Sequence, residues 1–371
     1  MTGETFFGRV GLQQRVIPAY RAAFFEALAE RIEGGLSIFA GGPLPQEGIE
    51  PAKDLRVAKL VRAHNRNVFS PSSPWYLCWQ DGFTAWLELW QPEVLIVEAN
   101  PRYPVTPKAI TWMHERGRKV IGWGLGAPEL RGLLAGMRQR QRLHLLQSLD
   151  GMIAYSQRGA EQYRHLGLPE GRIYVASNAV AQAPITPPLP RSPRFDGTPM
   201  LLFVGRLQAR KRVDLLLQAC AKLPPAIQPR LVIVGEGPEL EELRRLASNI
   251  YPGAEFTGAK HGSELESYFK QADLFALPGT GGLAIQQAMA HGLPVVVAQG
   301  DGTQEDLVRS ENGWLLPSDD LQALVDCLQQ ALSDPARLRQ MGKASYRIVA
   351  EEINLERMVG VFIQVLKDVR K

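Results

Sequence analysis

The stretch "MLLFVGRLQARKRVDLLLQACAKL", residues 200–223, decides the fold. Met200–Val204 is a continuous apolar run, too short for a helix and without alternation, so it reads as a strand buried on both faces. Gly205 lets the chain turn, and from Val213 onward apolar residues recur at helical spacing. A buried strand, a basic loop and an amphipathic helix form half of a parallel βαβ crossover. The unit repeats downstream: "RLVIV" (Arg230–Val234) precedes "PELEELRRLA", and "DLFAL" (Asp273–Leu277) precedes "PGTGGLAIQQAMAHGLPVVVA". It repeats upstream in "LSIFA" (Leu36–Ala40), "EVLIVE" (Glu93–Glu98), "KVIGW" (Lys119–Trp123), "GMIAY" (Gly151–Tyr155) and "IYVA" (Ile173–Ala176). Helix patterns such as "TPKAITWMHERG" and "SQRGAEQYRHLG" lie between those runs.

Between the two series stands "AQAPITPPLPRSPRFDGTPM", with five prolines from Pro184 to Pro193. Proline fixes its own torsion, so this segment reads as a semi-rigid linker. The expected organisation is α/β, with doubly wound Rossmann-like domains over residues 1–180 and 199–352 joined by a linker over 181–198. A final amphipathic helix, 353–371, carries Leu355, Met358, Val359, Phe362, Val365 and Leu366 on one face. It either caps the second domain or crosses back to the first.

The bulk numbers narrow the function. A chain of 371 residues suits roughly two domains, and 45% hydrophobic with 22% charged residues supplies an ordinary globular core. A net charge of +4 admits an anionic ligand or a membrane surface but falls far short of a dedicated nucleic-acid binder. No apolar run is long enough to span a bilayer. The opening "MTGETFFGRVGLQQRV" lacks the basic and apolar regions of a signal peptide, so a cytoplasmic location is expected, or peripheral attachment at the inner face of the membrane. Cys78, Cys220 and Cys327 are widely spaced and read as small core residues. The arginine-rich "ELRGLLAGMRQRQRLHLL" (Glu129–Leu146) reads first as a solvated helix face and second as a helix facing a membrane or an acceptor.

Ligands of open α/β sheets bind beyond the carboxyl ends of the strands, so the loops there hold the candidate chemistry. After the strand at 200–204, Gly205, Arg206 and Lys211 place two cations beside a helix start, where unpaired backbone donors favour anions. In "LPGTGGLAIQQAMAHG", Gly279, Gly281 and Gly282 permit close backbone approach ahead of a second helix. Two such sites on neighbouring crossovers suit a diphosphate.

With these motifs in order, the second half resembles the family 4 glycosyltransferases, which have the GT-B fold of two facing Rossmann-like domains with a deep cleft between them. The resemblance rests on "FVGRLQARKRVDLLLQA", "LVIVGEGPELEEL", "EFTGA", "YFKQADLFALPG", "GGLAIQQAMAHGLPVVV" and "QEDLVRSENGWLLP". It implies that Arg206 and Lys211 are the catalytic diphosphate ligands, and that Thr280, Gly281, Gly282 and Leu283 meet phosphate and sugar. It puts Gly258 and Lys260 beside the nucleobase and Glu305 on the ribose or diphosphate side. The family pattern has two glutamates around this helix, one before it and one within it. Here those positions hold Gly279 and Gln287, and a register shifted by one brings in Pro278 and Gln286. Gln287 can still bond ribose hydroxyls as a neutral group.

The same resemblance gives the acceptor to the first domain. Candidate loops are "LQQRVIPAYR" (Leu12–Arg21), "VEANPRY" (Val97–Tyr103) and "WGLGAPE" (Trp123–Glu129), with Gln14, Tyr20, Arg21, Glu98, Asn100, Arg102 and Trp123 as candidate cleft residues. Relatives place a histidine near the sugar, where this chain has Leu125. His64 is a substitute, although a lone histidine is more often structural. Trp75, Trp79, Trp86 and Trp90 fit core packing better than stacking on a ligand.

The expected activity is transfer of a sugar from a UDP- or GDP-sugar to a glycan, lipid or small acceptor. The resemblance implies retention of configuration, no metal and no cofactor beyond the donor, with peripheral membrane contact through the first domain and no nucleic-acid partner. The alternatives are a non-catalytic nucleotide-sugar-binding scaffold and a nucleotide-sugar epimerase.

Overall fold

In the computed structural model, residues 4–371 are described except 72, 74, 131, 133 and 189. The chain divides into two units, one of Met1–Val180 with Leu355–Lys371 and one of Ala181–Asn354.

In the first unit the elements run β1 (Val10–Val16), α1 (Ala22–Ala29), β2 (Leu36–Gly41), β3 (Lys59–Arg62), β4 (His64–Val68), β5 (Leu77–Asp81), α2 (Phe83–Trp90) and β6 (Val94–Glu98). They continue as α3 (Val105–His114), β7 (Lys119–Gly124), α4 (Ala135–Gln147), β8 (Gly151–Ala154), α5 (Gln157–His165) and β9 (Ile173–Val175). Seven strands make a parallel sheet in the order β3-β2-β1-β6-β7-β8-β9, while β4 and β5 pair as a separate antiparallel hairpin. Strand order reverses between β1 and β6, the point where ligands of such sheets bind.

Strand β1 includes Gln13 and Gln14, which the sequence reading placed in a loop. Both are buried: partners satisfy the Gln13 side chain, whereas the Gln14 side-chain nitrogen has no hydrogen-bond partner among the described residues and Gln14 is tied through its backbone. Gln13 bonds the Gln80 side chain and accepts from the Glu98 amide at 3.1 Å, and the Gln14 carbonyl accepts from Gln80 at 3.1 Å. Gln80 also donates to Asn65 at 3.0 Å, so this network fastens the β4–β5 hairpin to the end of the sheet.

The second unit contains β10 (Met200–Val204), α6 (Val213–Lys222), β11 (Arg230–Val234), α7 (Leu240–Ile250), β12 (Glu255–Phe256), α8 (Gly262–Gln271), β13 (Leu274–Leu277) and α9 (Leu283–Ala290). It ends with β14 (Val295–Ala298), α10 (Thr303–Leu307), β15 (Gly313–Leu316), α11 (Leu321–Ser333) and α12 (Pro335–Glu351). Its parallel sheet has the order β12-β11-β10-β13-β14-β15, with the reversal between β10 and β13. The β10, β11, β13 and β14 runs are buried almost throughout, as continuous apolar strands covered on both faces should be.

The proline-rich segment lies against this second unit. Arg191 donates to the carbonyls of Ala272 and Phe269, Arg339 donates to the Ser192 carbonyl at 2.8 Å, and Tyr346 donates to the Pro184 carbonyl at 3.3 Å. The last helix, α13 (Leu355–Arg370), buries Leu355, Met358, Val359, Phe362, Ile363, Val365 and Leu366 in the core of the first unit. Phe362 packs edge-on against Phe24 and Trp123, with centroids 5.0 and 4.9 Å apart. All three cysteines are free and buried. Among the described residues no helix is long and apolar enough to cross a membrane.

Candidate functional site

In the second unit the candidate residues gather where the strand order reverses. The loop after β10 carries Gly205, Arg206, Arg210 and Lys211, and the loop after β13 carries Gly279, Thr280, Gly281 and Gly282. The Thr280 amide donates to the Arg210 carbonyl at 3.0 Å, and the Arg210 guanidinium returns to the Thr280 carbonyl at 3.2 Å and hydroxyl at 3.3 Å. The two loops are therefore one structure. Lys211 reaches across to Gly281 and forms no ion pair with a described carboxylate. Burial, reinforced by Arg210 and only partly offset by Asp301, brings its ammonium down from 10.5 to about 8. Gly282 caps α9, and the amides of Gly282 and Leu283 donate to no described residue, leaving the usual orphan donors of a helix start.

Two expected backbone donors are already engaged. Thr280 donates to Arg210, and Gly281 donates to the Gln304 side-chain oxygen at 3.2 Å. Gln304, fully buried on α10, also donates to the carbonyls of Gly279 at 3.0 Å and Ala298 at 2.7 Å. Its side chain thus holds the glycine loop from beneath.

The replaced glutamates have different explanations. A Cβ on Gly279 would stand 2.2 Å from the Arg210 carbonyl oxygen and 2.5–2.6 Å from Lys211 backbone atoms, so any side chain there would push the two loops apart. Gln287 sits exposed on α9. Its neighbour Gln286 is fully buried, accepts from the Ala181 amide at 3.0 Å and donates to the Ile353 carbonyl at 2.8 Å. That is a structural assignment for the shifted register.

The remaining donor-side candidates lie near the same sheet edge. Arg206 is exposed on the β10 loop. Gly258 has φ +74°, its carbonyl accepts from the Gly235 amide at 2.9 Å, and Lys260 lies 3.8 Å from Glu264. Glu305 is half-buried on α10, beside Gln304.

The first unit holds a cavity of about 1170 Å³ beyond the ends of β6, β7 and β8. Of the acceptor-side candidates, Glu98, Asn100, Arg102, Trp123 and Leu125 line it. Burial pushes the Glu98 carboxyl above its ordinary range, against a Tyr103 hydrogen bond and Arg15, whose amide donates to it at 3.2 Å. Gln14, Tyr20 and Arg21 are not among the lining residues. Gln14 is buried in the sheet and Tyr20 is exposed. Arg21 stacks on Trp123 and Tyr155, centroids 5.3 and 5.1 Å away, and donates to Asn178 at 2.9 Å. The His64 side chain is exposed on the hairpin, paired with Asp81 at 3.1 Å and outside the cavity lining.

Sequence reasoning missed part of this wall. Of the four tryptophans assigned to core packing, Trp86 is buried, but Trp75 is 58% exposed and lines the cavity, and Trp79 lies exposed under Lys108. The arginine-rich helix α4 also contributes: Met137, Arg138, Gln141 and Arg142, with Leu134 just before its first residue, line the cavity at helical spacing. The sequence reading held an acceptor-facing helix as its second choice here, and the alternation of arginine with glutamine hid which face it would present.

Comparison with known proteins agrees with this fold. Residues 189–348 match the family model described as glycosyl transferases group 1. A sulfoquinovosyl transferase of Arabidopsis thaliana is 33% identical over 153 residues, 40% of this chain and 29% of that protein. A GDP-mannose-dependent alpha-(1-6)-phosphatidylinositol monomannoside mannosyltransferase of Mycolicibacterium smegmatis is 32% identical over 159 residues, 39% of this chain and 42% of that protein. The matched region thus spans less than half the length of these curated relatives. Whole-chain likeness is found in solved structures. Sucrose-phosphate synthase from Thermosynechococcus elongatus superposes with a TM-score of 0.73 at 19% identity, covering 97% of this chain and 98% of that one. Anabaena HepE in complex with UDP gives 0.71 at 16% identity, covering 97% and 99%. The chain has the GT-B fold, and the segment 189–348 is similar to the glycosyl transferases group 1.

Proposed function

We propose that the protein is a retaining glycosyltransferase that moves a sugar from a UDP- or GDP-sugar to an acceptor held by the first unit. The observation that carries this reading is Lys211: a half-buried ammonium in no ion pair with a described carboxylate and only partly offset by Asp301, against Gly281 and beside the amides of Gly282 and Leu283. A cation made costly by burial and set beside orphan donors is arranged for an anion. A diphosphate supplies two negative groups, one for Lys211 and the α9 amides and one for Arg206. The curated relatives named above include a GDP-mannose-dependent enzyme, and one structural neighbour holds UDP, which supports this class of donor.

In the proposed reaction the bond from the anomeric carbon to the β-phosphate oxygen breaks. The acceptor hydroxyl oxygen bonds to that carbon on the same face, and its proton passes to the departing diphosphate. Lys211, Arg206 and the backbone amides stabilise charge growing on the leaving group, a contribution that needs no protein nucleophile and no metal. The neutral Gln287 replaces a charged ribose contact with one roughly half as strong, and Gly279 offers the sugar only backbone.

Calorimetric titration of UDP and GDP into the wild type, Arg206→Ala and Lys211→Ala tests the reading. One nucleotide is expected to bind, with each substitution weakening it by about one to two decades. Absence of binding by either nucleotide removes the proposal.

A further inference from the structure

The cavity of the first unit joins aromatic and polar groups that suit a sugar (Trp75, Tyr76, Asn100, Gln141) to an aliphatic wall that a sugar alone leaves uncovered. At about 1170 Å³ it exceeds the roughly 300–1,000 Å³ typical of small-molecule sites. Leu77, Leu125, Leu130, Leu134 and Met137 form aliphatic walls, and Leu125 and Met137 are each 51% exposed at residues that no described contact covers. Sugars are held by hydroxyl-directed polar groups and flat aromatic faces, whereas branched and thioether side chains suit hydrocarbon.

Charge on this wall is one-sided. Arg102, Arg138 and Arg142 line the cavity, and none forms an ion pair with a described carboxylate. Arg138 and Arg142 lie one helical turn apart on α4, and Arg142 is fixed by donating to the Pro128 carbonyl at 2.7 Å. Burial, with Arg138 and Arg102 nearby, holds the Arg142 guanidinium below its ordinary range, so the three cations repel one another. Glu98 is the one acid among the described lining residues, and it is occupied by Tyr103 and the Arg15 amide. Three guanidiniums on one cavity wall, none in an ion pair with a described carboxylate, next to an aliphatic surface, select a molecule with both properties.

We propose that this cavity binds a single-chain lipid phosphate, its hydrocarbon against Leu125, Leu134 and Met137 and its phosphate between Arg102, Arg138 and Arg142. In the glycosyltransferase reading this molecule is the acceptor or its carrier. That assignment rests on the donor site proposed above, but the binding itself does not.

The test is tryptophan fluorescence, since Trp75 and Trp123 line the cavity, during titration with dodecyl phosphate below its micelle threshold. Dodecyl maltoside and inorganic phosphate are titrated in parallel. Saturable binding of dodecyl phosphate is expected, with dodecyl maltoside at least about tenfold weaker and no displacement by equimolar inorganic phosphate. Arg138→Ala should weaken dodecyl phosphate about tenfold and leave dodecyl maltoside unchanged. The double variant Leu125→Asp with Met137→Asp, at two half-exposed positions, should abolish binding while keeping the wild-type circular dichroism and Tm. Equal binding of maltoside and phosphate amphiphiles, displacement by inorganic phosphate, or full binding by the double variant each overturns the proposal. UDP and GDP are titrated into the same samples. Nucleotide binding without dodecyl phosphate binding removes this inference alone, and the converse removes the donor reading alone.

Discussion

Lys211 occupies the space that a side chain at residue 281 would fill: a Cβ built on Gly281 stands 2.2 Å from the Lys211 Nζ. Gly281 also has φ +132°, a conformation other residues adopt with strain. The glycine is thus the seat of the ammonium. Gly281→Ala should displace Lys211 and weaken nucleotide binding by about one decade or more. Because both changes act through the same contact, Gly281→Ala with Lys211→Ala should bind no worse than Lys211→Ala alone. Calorimetry on the two single variants and the double variant checks this. Additive losses would separate the glycine from the lysine.

The depressed Lys211 value, from 10.5 to about 8, makes nucleotide binding depend on pH with a definite sign. A bound diphosphate stabilises the protonated amine, so the value in the complex lies above that of the free protein. Below about pH 8 the amine is protonated in both states and contributes no slope. As pH rises through 8, binding has to take up a proton, and affinity falls by up to about tenfold per unit until the value of the complex is reached. Calorimetry between pH 7 and 9.5, in buffers of different ionisation heat, reads both the fall and the proton. Lys211→Ala should abolish them.

Folding stability carries the opposite slope from the same group. Between about 8 and 10.5 the unfolded chain holds the lysine proton while the native one has released it, so the Lys211 contribution to stability rises with pH there. Urea denaturation of wild type and Lys211→Ala at pH 8 and 10 should show that difference. A flat comparison would mean that the amine is not desolvated.

The two positions of the missing glutamates should respond differently to repair. Gly279→Glu forces a Cβ into the Arg210 and Lys211 backbone, so it is expected to destabilise by about 1–3 kcal/mol and to weaken nucleotide binding. Gln287→Glu is exposed, should leave Tm unchanged and should tighten nucleotide binding by up to about tenfold. Thermal denaturation and calorimetry on both variants decide it. A stable Gly279→Glu variant that binds like wild type would contradict the packing argument.

These contrasts show where sequence reading reached and where it stopped. The strands at 200–204 and 230–234 were legible to the residue because burial on both faces demands an unbroken apolar run. Strand β1 was not, since "VGLQQRV" hides two buried glutamines, and the partners of Gln13 (Gln80 and the Glu98 amide) are distant in sequence. The hairpin failed for a related reason: His64–Val68 and Leu77–Asp81 alternate, but their exposed face carries Val68, Leu77 and Trp79 as well as polar residues. Arg206, Lys211 and the glycine loop could be read because strand, turn and helix stand consecutively. Of the cavity only the strand-end loops at 98–102 and 123–125 could be read, because the rest of its wall comes from the hairpin and α4, which no local pattern brings together. Gly279 was read as a lost carboxylate, and only the approach of Arg210 and Lys211 reveals that no side chain fits there.

Gln304 offers the sharpest separation of scaffold from ligand contact. Its amide nitrogen donates to Gly279 and Ala298 and its oxygen accepts from Gly281, all with the side chain fully buried. Replacement by alanine leaves one donor and two acceptors without partners in a space closed to bulk water, and the cost is expected at about 2–4 kcal/mol. The glycine loop then loses its support, so nucleotide affinity should fall although residue 304 is not proposed to touch the ligand. Gln304→Glu keeps an acceptor for the Gly281 amide but sets a carboxylate against the Gly279 and Ala298 carbonyls. It should therefore destabilise at neutral pH and recover in acid, where the protonated carboxyl again donates one bond. Urea denaturation of the two variants at pH 7.5 and 5 reads that difference. If Gln304→Ala keeps wild-type stability yet loses nucleotide binding, the side chain contacts the ligand directly and the scaffold role assigned to it is wrong.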